Sequence, residues 1–285
     1  MADRLAALMA HFPVSAQVFN TGALCGLNTV EDDGARGQLH LVRSGSVEVR
    51  YRSESLHVNH PSLLLFPRPL RHQFITDPTR GADMVCANLS FEGGAGNPVA
   101  SALPDVICLR LDEIEGAEPA LALLFEEAFQ DRCGRVALIE RLFEVVMIQV
   151  LRRLMEDGAV QGGLLSGLSH PRLRHALVSM HEAPAREWTL DELAGAAGMS
   201  RSAFATAFRE TVGVTPGKYL QAWRVSLAQK ALRRGRPLKI IAAEVGYGSE
   251  AALSRAFKAH SGMSPREWSA ARADEVHGGV GTGAA

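Results

Sequence analysis

Short apolar runs broken by polar and turn-forming residues fill the chain from about residue 16 to 92, whereas from Glu118 onward apolar positions recur every three or four residues. The first pattern is that of an all-β sandwich or barrel. Its clearest strands are Gln38 to Val42, Val47 to Arg52, Ser62 to Phe66, Gln73 to Ile75 and Met84 to Phe91, with Arg43-Ser44-Gly45-Ser46 expected to fold the first two into a hairpin. The second pattern is helical. Leu121, Leu124, Phe125 and Ala128, then Leu138, Leu142, Val145, Val146 and Leu151 to Leu154, mark two helices after the strands. The stretch Asp157 to Ser169 has four glycines and no period, and reads as a linker. The glycine-rich residues 274–285 have little to bury and read as a disordered tail. The fold class expected is α+β, with an N-terminal β-barrel and its following helices, then an all-α domain.

That all-α domain contains one unit twice, offset by 49 residues: Phe208, Gly213, Pro216 and Tyr219 correspond to Phe257, Gly262, Pro265 and Trp268. The first copy opens with Thr189 three residues before Glu192, a pair able to satisfy the free amides of a helix start from both sides. Leu193, Ala194 and Ala197 form an inward face, Gly198 suits a tight turn, and Ser200 caps a second helix in which Phe204 and Phe208 point inward. Arg201, Ser202, Ala205, Thr206 and Arg209 are left outside. In the second copy Pro237 opens a helix with Ile240, Ile241 and Val245 inward, Gly246 turns, Ser249 caps, and Glu250, Ala251, Ser254, Arg255 and Lys258 face out. Between the copies, Pro216 to Arg234 reads as one continuous helix. A helix-turn-helix with a basic outer face is built for a DNA major groove; for the outward residues the competing reading is an ordinary solvated surface.

Charge divides the chain the same way. Residues 1–169 hold 14 Arg and no Lys against 21 acids, a net of −7, while residues 170–273 hold 16 basic against 8 acidic residues, a net of +8. Only the second part is suited to a polyanion. Cys25, Cys86, Cys108 and Cys133 stand far apart with no Cys-x-x-Cys pair, which excludes a zinc ribbon and argues for free thiols. No run of eighteen apolar residues and no secretion signal is present, so the expectation is a cytoplasmic chain with no membrane partner.

Residues 170–273 resemble the DNA-binding domain of the AraC/XylS family, through Ile241-Ala242-x-x-Val245-Gly246-Tyr247 and Phe257-Lys258-x-x-x-Gly262-Met263-Ser264-Pro265-x-x-Trp268. Leu253 and Trp268 depart from the commoner aromatic and Tyr, but both keep a large apolar group. The resemblance implies two helix-turn-helix units on a linker helix, with Arg224, Ala228 and Leu232 matching its pattern, double-stranded DNA and RNA polymerase as partners, and regulation of transcription, more often activation. The DNA-contacting set it implies is Arg201, Ser202, Thr206, Arg209, Glu250, Ser254, Arg255 and Lys258.

Leu39-His40-Leu41-Val42-x-x-Gly45, then Ser62 to Pro67 and His72, is similar to the cupin barrel that many such regulators use as a sensor. The domains expected are 1–158 for sensing and dimerisation, 159–169 for the linker, 170–273 for DNA binding and 274–285 for the tail. A metal-dependent cupin enzyme needs three adjacent ligands. His40 lacks a neighbouring histidine and the glutamate is missing, so the chain is read as a non-enzyme without a cofactor; the alternatives are a half-site of His40 and His72, and a cupin enzyme fused to a DNA-binding module. The order of Cys25, Cys86 and the segments after them is similar to regulators that respond to reactive chlorine species. Control through oxidation at Cys25 and Cys86, or through a small-molecule effector, therefore stands beside the plainer reading of inert buried thiols. Leu138, Leu142, Val145 and Gln149 form a stripe suited either to a homodimer or to packing on the barrel.

Overall fold

The computed structural model describes residues 3–93, 97–158 and 162–270, and its contacts divide the chain into two compact units. One unit runs from Phe12 to Ser169; the other joins the segment ending at His11 to the chain after His170.

The described residues of the first unit form nine strands: β1 (Val14–Leu24), β2 (Leu27–Val30), β3 (Gly37–Ser44), β4 (Val47–Tyr51), β5 (Glu54–Val58), β6 (Ser62–Phe66), β7 (His72–Thr76), β8 (Ala82–Phe91) and β9 (Ile107–Arg110). They make two antiparallel sheets, ordered β1-β8-β3-β6-β9 and β2-β7-β4-β5. The side-chain period of two explains the continuous apolar runs of β3 and β6. Val42, Leu64, Phe66, Met84 and Cys86 project between the sheets into one core with Val47, Val49 and Phe74, while Leu39, Leu41, Leu63, Leu65 and Val85 are buried on the opposite face. Both faces of the larger sheet are thus covered.

The outer cover includes α3 (Glu118–Ala128) and α4 (Arg135–Glu156), with α4 packed on β1. A bulge between Val18 and Asn20 interrupts the β1–β8 ladder, and the Val18 N–H donates instead to Glu140 of α4 at 3.3 Å. Two sequence expectations change here. The turn at residues 43–46 does not close a hairpin, because β3 and β4 belong to different sheets; it is a corner, at which Gly45 (φ 91°) lies so close to β8 that a Cβ would sit 2.7 Å from the Ala82 Cα. The expected linker is also partly structured. Residues 159–161 are outside the described set, but α5 (Gly163–Ser169) buries Leu164, Leu165 and Leu168 against α4 and against α2 (Pro98–Ala102).

The second unit contains α1 (Ala6–His11), α6 (Leu173–Glu182), α7 (Leu190–Ala196), α8 (Arg201–Val212), α9 (Pro216–Arg233), α10 (Leu238–Glu244) and α11 (Glu250–Ser261); residues 265–270 are again helical. Its first helix is the surprise, since residues 1–158 read as one domain in sequence. Leu8 is fully buried, α1 packs on α6, the His11 ring meets Trp223 edge-on at 5.9 Å, and Lys230 donates to the His11 carbonyl. The expected tail at 274–285 lies outside the described residues.

Candidate nucleic-acid interface

Each helix-turn-helix is framed by caps that the sequence prescribes. The Thr189 hydroxyl accepts from the Glu192 N–H at 3.2 Å while the Glu192 carboxylate accepts from the Thr189 N–H at 2.8 Å. The Thr189 N–H and hydroxyl, joined by Arg186, hold the Glu192 carboxyl down to about 2. Ser200 starts α8 by accepting from the Ala203 N–H, and Ser249 starts α11 by accepting from the Ala252 N–H. Both helices have twelve residues and both end at a left-handed glycine, Gly213 (φ 85°) and Gly262 (φ 77°).

Phe204, Phe208, Leu253 and Phe257 are fully buried, so the opposite faces of α8 and α11 are turned to solvent. Arg201, Ser202, Thr206 and Arg209 are exposed on α8; Glu250, Arg255 and Lys258 are exposed on α11, with Ser254 half-buried. Arg201 meets Asp191 of α7 at 3.3 Å, whereas Arg209 and Arg255 have no carboxylate partner among the described residues. Ile240 departs from expectation: it is 47% exposed, and Ile241, Ala242 and Val245 form the inward face of α10.

What joins the two readers is an arginine that sequence reasoning treated only as a pattern match. From α9, Arg224 donates through Nε to the Pro184 carbonyl at 2.6 Å, through Nη2 to the Arg186 carbonyl at 2.8 Å and through Nη1 to the Gly246 carbonyl at 3.4 Å. One side chain thereby fixes the linker helix to the loop before α7 and to the turn of the second reader. Gly246 (φ 83°) is required at that turn twice over, since a Cβ would also sit 2.5 Å from the Ala185 carbonyl oxygen. Nothing in the spacing of Arg224 marks its partners, because all three are backbone carbonyls of distant residues.

The four sensor candidates do not form one site. His40 and His72 are brought together, Nε2 to Nε2 at 3.1 Å, among Phe66, Phe74 and Phe19. His72 Nδ1 lies 2.8 Å from the Leu70 carbonyl and must donate to it, so its Nε2 is bare and accepts from His40 Nε2–H. Burial pushes His72 down to about 4 and His40 well below its ordinary value, so both rings are neutral. Cys86 lies opposite His40 in the β3–β8 register, and burial pushes its thiol far up. Cys25 is exposed in the turn after β1.

Leu24 pairs with Ala82 and Asn20 with Cys86, so Cys25, one residue beyond Leu24, stands about five rungs from Cys86, roughly 16 Å at ~3.3 Å per residue. A disulfide needs α-carbons within about 7 Å. A disulfide between Cys25 and Cys86 is therefore incompatible with this strand register. Nor do the residues fit the three-ligand centre of a catalytic cupin, for the two histidines bond to each other and no group of three His, Cys, Asp or Glu among the described residues is placed to hold a metal.

A sheet-rich barrel followed by a doubled, capped helix-turn-helix defines a two-part protein of barrel and helix-turn-helix domains. Residues 3–156 match the family described as Cupin, and residues 193–271 match the family described as Helix-turn-helix domain. The chain belongs to the AraC-type regulators that carry a cupin N-terminal domain. An AraC-like protein of Streptomyces antibioticus is 42% identical over 54% of this chain and 52% of its own length, so the chain spans about half of that relative. The RCS-specific HTH-type transcriptional activator RclR of Escherichia coli is 28% identical over 80% of this chain and 82% of its own. Among solved structures, fatty-acid-bound ToxT of Vibrio cholerae aligns over 90% of this chain and 94% of its own at 14% identity, with a TM-score of 0.40.

Proposed function

We propose that this chain is a sequence-specific DNA-binding regulator of transcription, with α8 and α11 entering successive major-groove faces of one duplex and the barrel carrying the control. The observation that carries this reading is the pair of identically capped helices, each buried by two large apolar residues on one side and offering Arg, Lys and hydroxyl groups on the other. α9 has 18 residues, about 27 Å at 1.5 Å per residue, and Arg224 stiffens its junction with the turn of the second helix-turn-helix.

The proposed partners are double-stranded DNA, RNA polymerase at an activated promoter, and a second copy of the chain. Self-association is supported by Leu138 and Val145, exposed at 38% and 42% on α4. Leu142, which belonged to the same stripe in sequence, is buried within the barrel unit, so the surface on offer is narrower than the spacing implied. For control, a small-molecule effector at the barrel domain and oxidation are both kept; the likeness to RclR supports oxidation. Burial of Cys86 confines the oxidant reading to single-cysteine chemistry at exposed Cys25. Filling of the barrel by neutral ring-packed histidines weighs against the alternative of a fused metal enzyme. The proposed place of action is the cytoplasm; no described helix is long and apolar enough to cross a membrane.

The test is binding of the full chain to promoter duplexes across a salt series. Affinity is expected to fall with a log–log slope of about −0.9 per neutralised phosphate, with specific sites exceeding random duplex. Absence of any duplex affinity at low salt contradicts the reading.

A further inference from the structure

Because α8 and α11 share length, serine cap and terminal glycine, the 49-residue offset pairs their outward positions one to one. Thr206 pairs with Arg255 and Arg209 with Lys258, substitutions that keep a donor or a cation. Arg201 and Glu250 are different. Each is the first residue of its helix and exposed, yet the charge is reversed between them.

Reading helices present their N-terminal residues to base edges. A carboxylate at that place repels the phosphates on both sides of the groove. Arg255 and Lys258 on the same face attract them. Glu250 makes no hydrogen bond or ion pair with any described residue, so no partner in the fold requires it. An ionised carboxylate only accepts, and the major-groove group that satisfies a pure acceptor is the exocyclic amine of cytosine; adenine sets its own N7 acceptor beside its amine, and guanine offers acceptors alone. Arginine has the opposite preference, with parallel donors that match guanine O6 and N7. Asp191 at 3.3 Å holds the Arg201 guanidinium without burying it.

We infer that Glu250 and Arg201 give the two half-sites different base requirements: a cytosine facing Glu250 in the half-site read by α11, and a guanine facing Arg201 in the half-site read by α8. The inference rests on the DNA-binding reading above. The operator of this protein is on this account not a simple direct repeat.

The experiment is a base-preference map of the full chain on a library of randomised duplexes, run for wild type, E250A, E250Q and R201A, with total affinity for the unselected library recorded beside it. Wild type is expected to prefer cytosine at one position by about tenfold or more. In E250A that preference disappears while affinity for the unselected library rises, since a repulsive charge has gone. E250Q moves the preference at the same position to adenine, whose N6 and N7 match a glutamine amide. R201A erases a guanine preference in the other half-site only. If Glu250 only favours the helix start, E250A and E250Q raise affinity and leave the map unaltered, and the inference is overturned. Loss of preference in one and the same half-site for Glu250 and Arg201 variants overturns it as well. A wild-type chain with no affinity for any duplex refutes the DNA-binding reading itself, and the inference falls with it.

Discussion

His72 in the barrel and Arg255 in the helical unit are both polar residues singled out by their place in a motif, and the fold treats them in opposite ways. His72 is stacked flat on Phe66 with ring centroids 3.9 Å apart, held neutral by burial and satisfied by a backbone carbonyl and another histidine. Arg255 is exposed, charged and left without a carboxylate partner among the described residues. At these two positions the barrel closes its polar group into its interior and the helical unit leaves its own to solvent. This difference shows which half of the molecule offers unpaired cations to a polyanion, and why the buried His40, His72 and Cys86 of the other half are poor candidates for metal or thiolate chemistry.

The comparison breaks most visibly if the two units do not unfold as separate bodies. Phe257→Ala removes a fully buried ring from the helical unit and is expected to cost about 3 to 5 kcal/mol. Calorimetry should show one transition moved down and the barrel transition unmoved. A uniform shift of a single transition contradicts the division.

A second effect, of about 3 kcal/mol, is the pH dependence that His72 gives the barrel; His181, buried in the helical unit and pushed down to about 3, gives that unit one of the same sign. His72 has a folded value of about 4 against an ordinary 6.5, so the unfolded chain takes up the proton first as pH falls. Barrel stability is therefore full above pH 6.5 and declines between 6.5 and 4. His72→Phe, which keeps a ring beside Phe66, should shrink that decline and leave the part due to buried His40; chemical denaturation at pH 7 and pH 4.5 measures it.

Arg224→Met keeps much of the apolar stem and deletes three bonds to carbonyls. The side chain is partly exposed, so the expected loss is about 2 to 3 kcal/mol in the helical unit, together with weaker binding to long operators than to single half-sites. Equal loss on both duplexes would argue that Arg224 does not couple the readers. The smallest effect is that of Asp191→Asn. Its ion pair with Arg201 is well exposed and is worth about 1 kcal/mol at most, so a gain in DNA affinity of only about twofold to fivefold is expected by titration.

Much of this arrangement was legible in the sequence, for identifiable reasons. β3, β6 and β8 stood out because both faces of their sheet are buried, which gives them runs of adjacent apolar residues such as Leu63 to Phe66 and Met84 to Ala87. β1 escaped because Asn20, Thr21 and Gly22 interrupt its apolar positions near the bulge, and β5 because it is an exposed edge strand. Residues 43–46 carry good turn chemistry, but turn residues do not say whether the strands on either side pair with each other. α5 was hidden by its glycines and by a length too short for a period to emerge. The readers were legible down to their caps, since Thr189, Ser200 and Ser249 act within three residues of themselves. The place of α1 in the helical unit was not, because His11 and Lys230 meet across some 220 residues and no local pattern records it.

The central claim is that two equivalent readers address one duplex side by side. It is tested most directly by footprinting the full chain on a selected site with the double variants Arg201→Ala/Thr206→Ala and Ser254→Ala/Arg255→Ala. The account predicts two protected windows about one helical turn apart, near 10 base pairs, with each double variant erasing a different window. Both variants erasing the same window, or a single window in wild type, would contradict it.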